Sequence, residues 1–337
     1  MKATEIHLTE YPQGLPTMQS FRFVETEIIP PKDGEVTIRN SYMSVDPYMR
    51  GRMTGIKTYA DPYQLNAVMT AGAVGEITAS AHPDYKVGDN VLSLRGWRTA
   101  FTGSVEEMIP EGFRKIDTSQ IPARYYLSIA GMPGMTAYTG LYRIAYLKAG
   151  ETVLVSGAAG AVGAIVCQLA KAAGAYVVGI AGSDSKCEWL RSKGVDAAVN
   201  YKTSPDLTKS LQKAAPQGID VYFENVGGNI LEAALNVMNQ FGRIAVCGMI
   251  AHYNNTIPSP GPNNMLMIVG KSLKIQGFIV MDHFHKTQDY IKLLIPLMAA
   301  GQISQQETIV DGIDAAPDAF LRLFSGEKQG KMLVKLV

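Results

Sequence analysis

The chain has 337 residues, of which 47% are apolar and 18% charged, with 33 glycines and 17 prolines. That length accommodates two domains, each with its own core, and the balance of apolar to charged residues excludes a disordered chain. A formal net charge of +1 leaves no global field that would select nucleic acid or an anionic membrane surface as a partner.

The first ten residues, Met1 to Glu10, carry polar and charged side chains throughout and no apolar core of secretory length. From there to about Ile129 the pattern is one of short β-type runs broken by turns. Glu35-Val36-Thr37-Ile38-Arg39 alternates polar and apolar, as a half-buried strand does. Ala71 to Ile77 and Asn90 to Leu94 read the same way, with the turn Lys86-Val87-Gly88-Asp89 between them. No long helical period interrupts these runs, which predicts a compact β-barrel-like domain over residues 1–128.

After Gly150 the period changes. Thr152-Val153-Leu154-Val155 has no solvent-facing position, the mark of a buried parallel strand. A glycine-rich turn follows, then helix formers from Ala164 to Ala173 and an apolar strand from Ala175 to Ile180. Glu188–Ser192 and Leu207–Ala214 read as helices; Ala197–Val199, Ile219–Phe223, Arg243–Cys247 and Leu273–Val280 read as strands. A helix is expected from His285 to Ala300. Strand and helix in alternation predict right-handed crossovers and a doubly wound parallel sheet, here over residues 129–300. The tail, 301–337, ends in the strand Lys331 to Leu336 and is expected to fold back and complete the first domain. Apolar runs such as Val177–Ala181 and Ile291–Ala300 are too short or too interrupted to span a bilayer. The three cysteines, Cys167, Cys187 and Cys247, form no disulfide framework and fit a reducing, cytoplasmic setting.

The strongest local signal is Ser156-Gly157-Ala158-Ala159-Gly160-Ala161-Val162-Gly163, between a strand and a helix. Small residues there let the backbone approach a pyrophosphate, and the helix turns its free N–H groups and positive dipole end toward that charge. Ala158 stands where the first glycine of Gly-x-Gly-x-x-Gly is usual, leaving Gly160 and Gly163. An NAD site carries an acid at the tip of the second strand; here the tip reads Gly179-Ile180-Ala181-Gly182-Ser183, with Lys186 one turn on and Tyr201 and Lys202 ending the next strand. An ammonium and hydroxyls suit a 2′-phosphate, so NADPH is the expected cofactor. Asp184 is expected to act as a helix N-cap, turned away from the ribose.

At this point the segments resemble the zinc-independent double-bond reductases of the medium-chain dehydrogenase/reductase superfamily, which include prostaglandin, plant alkenal and bacterial curcumin reductases. The segments are Ser44 to Met53, Gly131 to Tyr138, Ala158 to Gly163, Gly182 to Lys186, Asn200-Tyr201-Lys202, Phe223 to Gly228, Cys247 to Ile250 and Gln276 to Val280, in order along almost the whole chain. The resemblance implies an α/β fold with a Rossmann-type domain and a GroES-like β-rich domain. It further implies that Gly160, Ala161, Val162 and Gly163 hold the pyrophosphate, while Lys186 and Tyr201, in or beside the Gly182-Ser183 segment, take the 2′-phosphate. Asn225, Cys247, Gly248, Met249 and Ile250 through to Tyr253, and Phe278, Ile279 and Val280, line the remaining cofactor path; Met132 and Thr136 border the nicotinamide. Near the C-terminus, where relatives often read Asn-x-Gly-Lys, this chain has Lys328-Gln329-Gly330-Lys331, which puts that contact in doubt. Relatives dimerise through the last strands of their nucleotide domains, so a homodimer through Leu273–Val280 is expected.

A metal is not expected, because the five histidines show no ligand spacing beside a cysteine. Hydrogen-bond donors must then replace a Lewis acid, which suits a conjugated enal or enone. Hydride adds to the β-carbon, and a donor in a dry site stabilises the enolate oxygen. Tyr253, just past a strand end, is the first candidate donor, with the cofactor's ribose 2′-hydroxyl as co-donor; Tyr48 is the second, and Arg50 and Arg52 read as structural ion pairs. The expected function is NADPH-dependent reduction of the C=C bond of small unsaturated aldehydes and ketones. A quinone reductase of the same superfamily and a non-catalytic NADPH-binding protein are the alternatives.

Overall fold

The structure is a computed structural model that describes residues 2–326 and 329–337. It divides into two compact units, Met1–Ser128 with Glu307–Lys328 and Met332–Val337, and Ile129–Gln306 with Gln329–Lys331.

The first unit opens with β1 (Lys2–Leu8) antiparallel to β2 (Phe21–Glu27). Then follow β3 (Glu35–Ser44), the single turn α1 (Met49–Arg52), β4 (Ala73–Ser80), β5 (Asn90–Ser93), β6 (Ala100–Ser104), the single turn α2 (Val105–Met108) and β7 (Arg114–Lys115). The second unit supplies α3 (Met132–Tyr138), β8 (Thr152–Val155), α4 (Ala161–Ala172), β9 (Tyr176–Ala181), α5 (Asp184–Ser192), β10 (Ala197–Asn200) and α6 (Leu207–Ala214). It continues with β11 (Ile219–Glu224), α7 (Gly228–Val237), β12 (Met238–Val246), α8 (Leu266–Gly270), β13 (Lys274–Gly277) and α9 (Thr287–Ala299). The chain closes with β14 (Glu307–Asp311), α10 (Ala316–Ser325) and β15 (Lys331–Lys335).

In the first unit a seven-stranded sheet runs β14-β15-β3-β4-β5-β7, with β6 also paired to β3. Leu333 to Lys335 lie antiparallel to Ser44 to Tyr42, so the end of the chain is built into this unit. Within its largest core cluster, otherwise mainly aliphatic and methionine side chains, Phe21 stacks on Trp97 at 5.9 Å and Phe320 meets both rings edge-on. Arg124 and Glu307 join the early and late segments through a 2.7 Å ion pair.

In the second unit six parallel strands run β10-β9-β8-β11-β12-β13. The order reverses between β8 and β11, the switch point at which such sheets open a crevice. β8 is buried at every position, as its lack of a solvent face predicts. The sheet and helices together are the Rossmann-type half of an α/β protein, and the first unit is the β-rich, GroES-like half. Gln168 holds the end of this unit, its side chain accepting from Ser304 N–H at 2.8 Å and donating to Ser304 O at 3.2 Å.

Several expected bounds change, including helix starts that move from Ala164 to Ala161 and from Glu188 to Asp184. The last strand ends at Gly277, not Val280: β12 stops at Val246, opposite Gly277, so residues 278–280 have no ladder to join and a 3₁₀ turn takes Val280–Lys286. That turn delays the following helix from His285 to Thr287. The strand expected from Arg243 begins at Met238, with a register shift between Ile219 and Val221 that lets it bend. Among the described residues no helix is long and apolar enough to cross a membrane.

Candidate active site

Apart from Met132 and Thr136 on α3, the second-unit residues singled out in the sequence lie at the carboxyl ends of its strands or in the turns and helix starts that follow. β8 runs into the loop Ser156–Gly160, and Gly160 is the N-cap of α4 with no side chain capping the first turn. Gly157 adopts φ 57°, open to glycine, and its carbonyl accepts from Gly160 N–H at 2.9 Å. A β-carbon at Gly163 would collide with the Gly157 carbonyl oxygen and lie 2.8 Å from Ala158 Cα. The helix start therefore sits flush on the loop, with its first N–H groups directed outward. Ala158 is fully buried and donates its N–H to Ile180 O at 3.0 Å, a role that needs no glycine. Gly330 N–H donates to Ala159 O at 2.8 Å; Lys328, where relatives often carry an asparagine, lies outside the described residues.

The β9 and β10 tips form a second cluster. Ser183, not Asp184, is the N-cap of α5: its Oγ accepts from Lys186 N–H at 3.3 Å, while Asp184 stands in the first turn and accepts from Asn200 Nδ2 at 2.8 Å. Both residue types make good caps. The choice falls to Ser183 because the neighbouring strand end claims the aspartate. Tyr201 and Lys202 lean over Gly182, where a β-carbon would lie 3.1 Å from the Tyr201 ring and 3.4 Å from Lys202 Cε. Lys186 is half-buried, and desolvation first, then the charge of Lys202, lowers its pKa.

On the other side of the switch point, Asn225 follows β11, Cys247 to Ile250 follow β12, and Phe278 to Val280 follow β13. Asn225 Nδ2 donates to Ser156 O at 2.7 Å. Phe278 packs edge-on to Phe223 at 6.2 Å, and Phe278 N–H donates to Val246 O at 3.4 Å. Met132 and Thr136 lie on α3, where the buried Thr136 donates its hydroxyl to Met132 O at 2.7 Å. Tyr253 ends the short turn Ile250–His252, and a β-carbon at Gly248 would lie 2.8 Å from its Oη. The tyrosine hydroxyl thus rests against the β12 tip.

Tyr48 belongs to the first unit, at the start of α1. Desolvation, reinforced by Tyr63 and Asp46, pushes its hydroxyl well above the usual tyrosine range. Arg50 donates to the carbonyl oxygens of Pro12 and Gly14. Arg52 donates to Asp61 O and Thr70 Oγ1 and lies over the Tyr63 ring at 4.1 Å. These contacts are structural ones.

The chain matches the family described as the N-terminal domain of oxidoreductase over residues 4–110 and the zinc-binding dehydrogenase family over residues 161–300. Prostaglandin reductase 1 of Bos taurus is 41% identical over 324 residues, covering 96% of this chain and 95% of its own. The NADP(+)-dependent 2-alkenal reductase of Nicotiana tabacum is 39% identical over 335 residues, covering 98% and 96%. The crystal structure of CurA from Vibrio vulnificus in complex with NADPH matches with a TM-score of 0.92, 37% identity and 99% of both chains. The chain belongs to the zinc-independent double-bond reductases of the medium-chain dehydrogenase/reductase superfamily. It is an NADP-dependent oxidoreductase.

The residues of this reductase fit its cofactor, NADPH. An uncapped helix start from which a methyl is excluded suits a pyrophosphate, and two ammonium groups close enough to depress Lys186 suit a third phosphate. Among the described residues no group of three His, Cys, Asp or Glu side chains is placed to hold a metal ion. Burial pushes the thiols of Cys167 and Cys247 up to about 12. Sequence reasoning noted Lys202 without ranking it, because only the fold lays it over Gly182. It missed Glu224, whose signal was an acid closing the otherwise apolar end of a buried strand.

Proposed function

We propose that this reductase saturates the C=C bond of α,β-unsaturated aldehydes and ketones, with Tyr253 donating a hydrogen bond to the enolate oxygen. NADPH, when bound, supplies hydride to the β-carbon. Gly160 to Gly163 hold its pyrophosphate. Gly182, Ser183, Lys186 and Tyr201, joined by Lys202, hold its 2′-phosphate. Asn225, Cys247 to Ile250, Phe278 to Val280, Met132 and Thr136 line the nicotinamide half. The observation that carries the reading is the Tyr253 hydroxyl resting on Gly248, at the strand tips on the nicotinamide side of the switch point. One well-placed donor suffices for an oxyanion in a site shielded from water, and the reductase activities named for the relatives agree. Tyr48 is the second candidate donor.

The test is turnover of a panel of enals, enones and quinones with NADPH, with Tyr253→Phe alongside. Enals and enones are the expected substrates, and Tyr253→Phe lowers single-turnover rates by roughly ten- to a thousandfold while NADPH affinity is nearly kept. Unchanged rates remove Tyr253 from the chemistry; turnover of quinones alone replaces the enal reading.

We also infer a homodimer through β13. This strand is a sheet edge with Ile275 37% exposed, and the preceding α8 leaves Leu266 and Val269 78% and 76% exposed. A monomer mass by light scattering at micromolar concentration would rule it out. Its three free cysteines suit the cytoplasm, which cell fractionation checks.

A further inference from the structure

Strand β11 ends in a residue that its burial disfavours. Glu224 has no exposed surface, and a carboxylate in such a place is costly unless its oxygens are filled. Oε1 accepts from Ser156 Oγ at 2.7 Å and from the N–H groups of Val226 and Gly227 at 2.5 and 3.0 Å. Oε2 accepts from the Tyr222 hydroxyl at 2.6 Å. Ser156 Oγ in turn accepts from Asn225 N–H at 2.8 Å. The carbonyl oxygen of Glu224 accepts from Cys247 and Gly248 N–H at 2.9 and 3.2 Å. One residue on the middle strand therefore ties together the tips of β8, β11 and β12, which lie side by side across the switch point. An apolar residue would fill the same space but leave the Val226 and Gly227 N–H groups without their acceptor.

We propose that Glu224 is a positioning residue for the cofactor, setting through the Ser156 hydroxyl the backbone of Asn225, and so the side chain it carries, and holding the Cys247-Gly248 tip beside it. This rests on the reading that Asn225 and the β12 tip line the cofactor path. Tyr222 is a control within the same network: it packs in the sheet's apolar core, and although its hydroxyl also meets Ser156, losing it leaves the Ser156 Oγ bonds to Glu224 and Asn225 in place.

The experiment measures NADPH Kd by fluorescence titration and Tm by calorimetry for Ser156→Ala, Asn225→Ala, their double variant and Tyr222→Phe. Ser156→Ala and Asn225→Ala are each expected to raise Kd about tenfold, the loss of one hydrogen bond expressed at the ligand. The double variant binds no more weakly than Asn225→Ala alone, because one residue acts through the other. Tyr222→Phe lowers Tm and moves Kd less than twofold. An unchanged Kd in Ser156→Ala beside a raised one in Asn225→Ala overturns the positioning role of Glu224 alone. Additive losses in the double variant overturn it too, as does a Tyr222→Phe loss equal to that of Ser156→Ala. An unchanged Kd in Asn225→Ala overturns the reading of Asn225 as well.

Discussion

At the β9 and β10 tips this reductase offers ammonium and hydroxyl groups on long, partly exposed side chains, those of Lys186, Tyr201 and Lys202. At the β8, β11 and β12 tips it offers backbone groups locked by a buried carboxylate and an amide held by the Ser156 carbonyl. The contrast follows the two ends of the proposed ligand. A 2′-phosphate carries nearly two charges, and charge attracts over several ångströms with little demand on geometry. A reduced nicotinamide is neutral, so only fixed groups at hydrogen-bond distance select it, and fixing them takes a network in which each polar atom has a partner. The first end should therefore bend under substitution, salt and pH, and the second should break.

The sharpest way to test the rigid end is Gly163→Ala, where the added methyl meets backbone on the loop side and no flexible atom can yield. Overpacking of this kind costs about 1–3 kcal/mol of stability. With the helix start pushed off its loop, NADPH affinity is expected to fall by about ten- to a hundredfold. A variant with wild-type Tm and Kd would show that the loop is not the close-fitting element described above. Gly248→Ala comes next. Its methyl meets the free end of a side chain, the Tyr253 hydroxyl, which can swing aside. The expected result is turnover on an enone lowered about tenfold, a displacement effect, with a smaller loss of NADPH affinity. Equal losses in both would place Tyr253 in cofactor binding instead of chemistry.

The same contrast explains what the sequence disclosed. The alternation of strand and helix was legible because buried parallel strands need unbroken apolar runs, and Thr152–Val155 and Leu207–Ala214 stand at the bounds their patterns predict. The tight loop before α4 was legible because the close packing of a helix start on its loop demands small residues in consecutive positions. Element ends set by a neighbour were not. Val280 carries a strand-like side chain, yet β12 has already stopped at Val246 and nothing remains to pair with it. Asp184 and Ser183 are adjacent residues of equal capping ability, and Asn200, sixteen positions away, decides between them. Glu224 stood inside a recognised segment, but its importance lies in bonds to Ser156, which is distant in sequence and adjacent only through the β8–β11 pairing. Local chemistry was readable; the interlocking of strand tips required the sheet.

The smallest expected effect belongs to the compliant end. Lys186 has its pKa lowered by desolvation and then by Lys202, so in the free protein it sheds its proton at a lower pH than an ordinary lysine. As pH rises through that point, the attraction for the 2′-phosphate fades. NADPH affinity should therefore decline below the usual lysine range, while NADH affinity stays level. In the proposed site Lys202→Ala removes one ammonium from the phosphate, and it removes one repelling charge from Lys186. At neutral pH the loss should be only about two- to fivefold, as for a solvent-exposed ion pair, and it should shrink further as salt is added. The second consequence has the opposite sign: with the repulsion gone, the pKa of Lys186 rises, and the decline in NADPH affinity moves to higher pH. Fluorescence titrations of both nucleotides across pH, on the wild type and the variant, measure both shifts. If the onset stays where it was, the two lysines do not share one phosphate, and the β10 tip loses its place in cofactor selection.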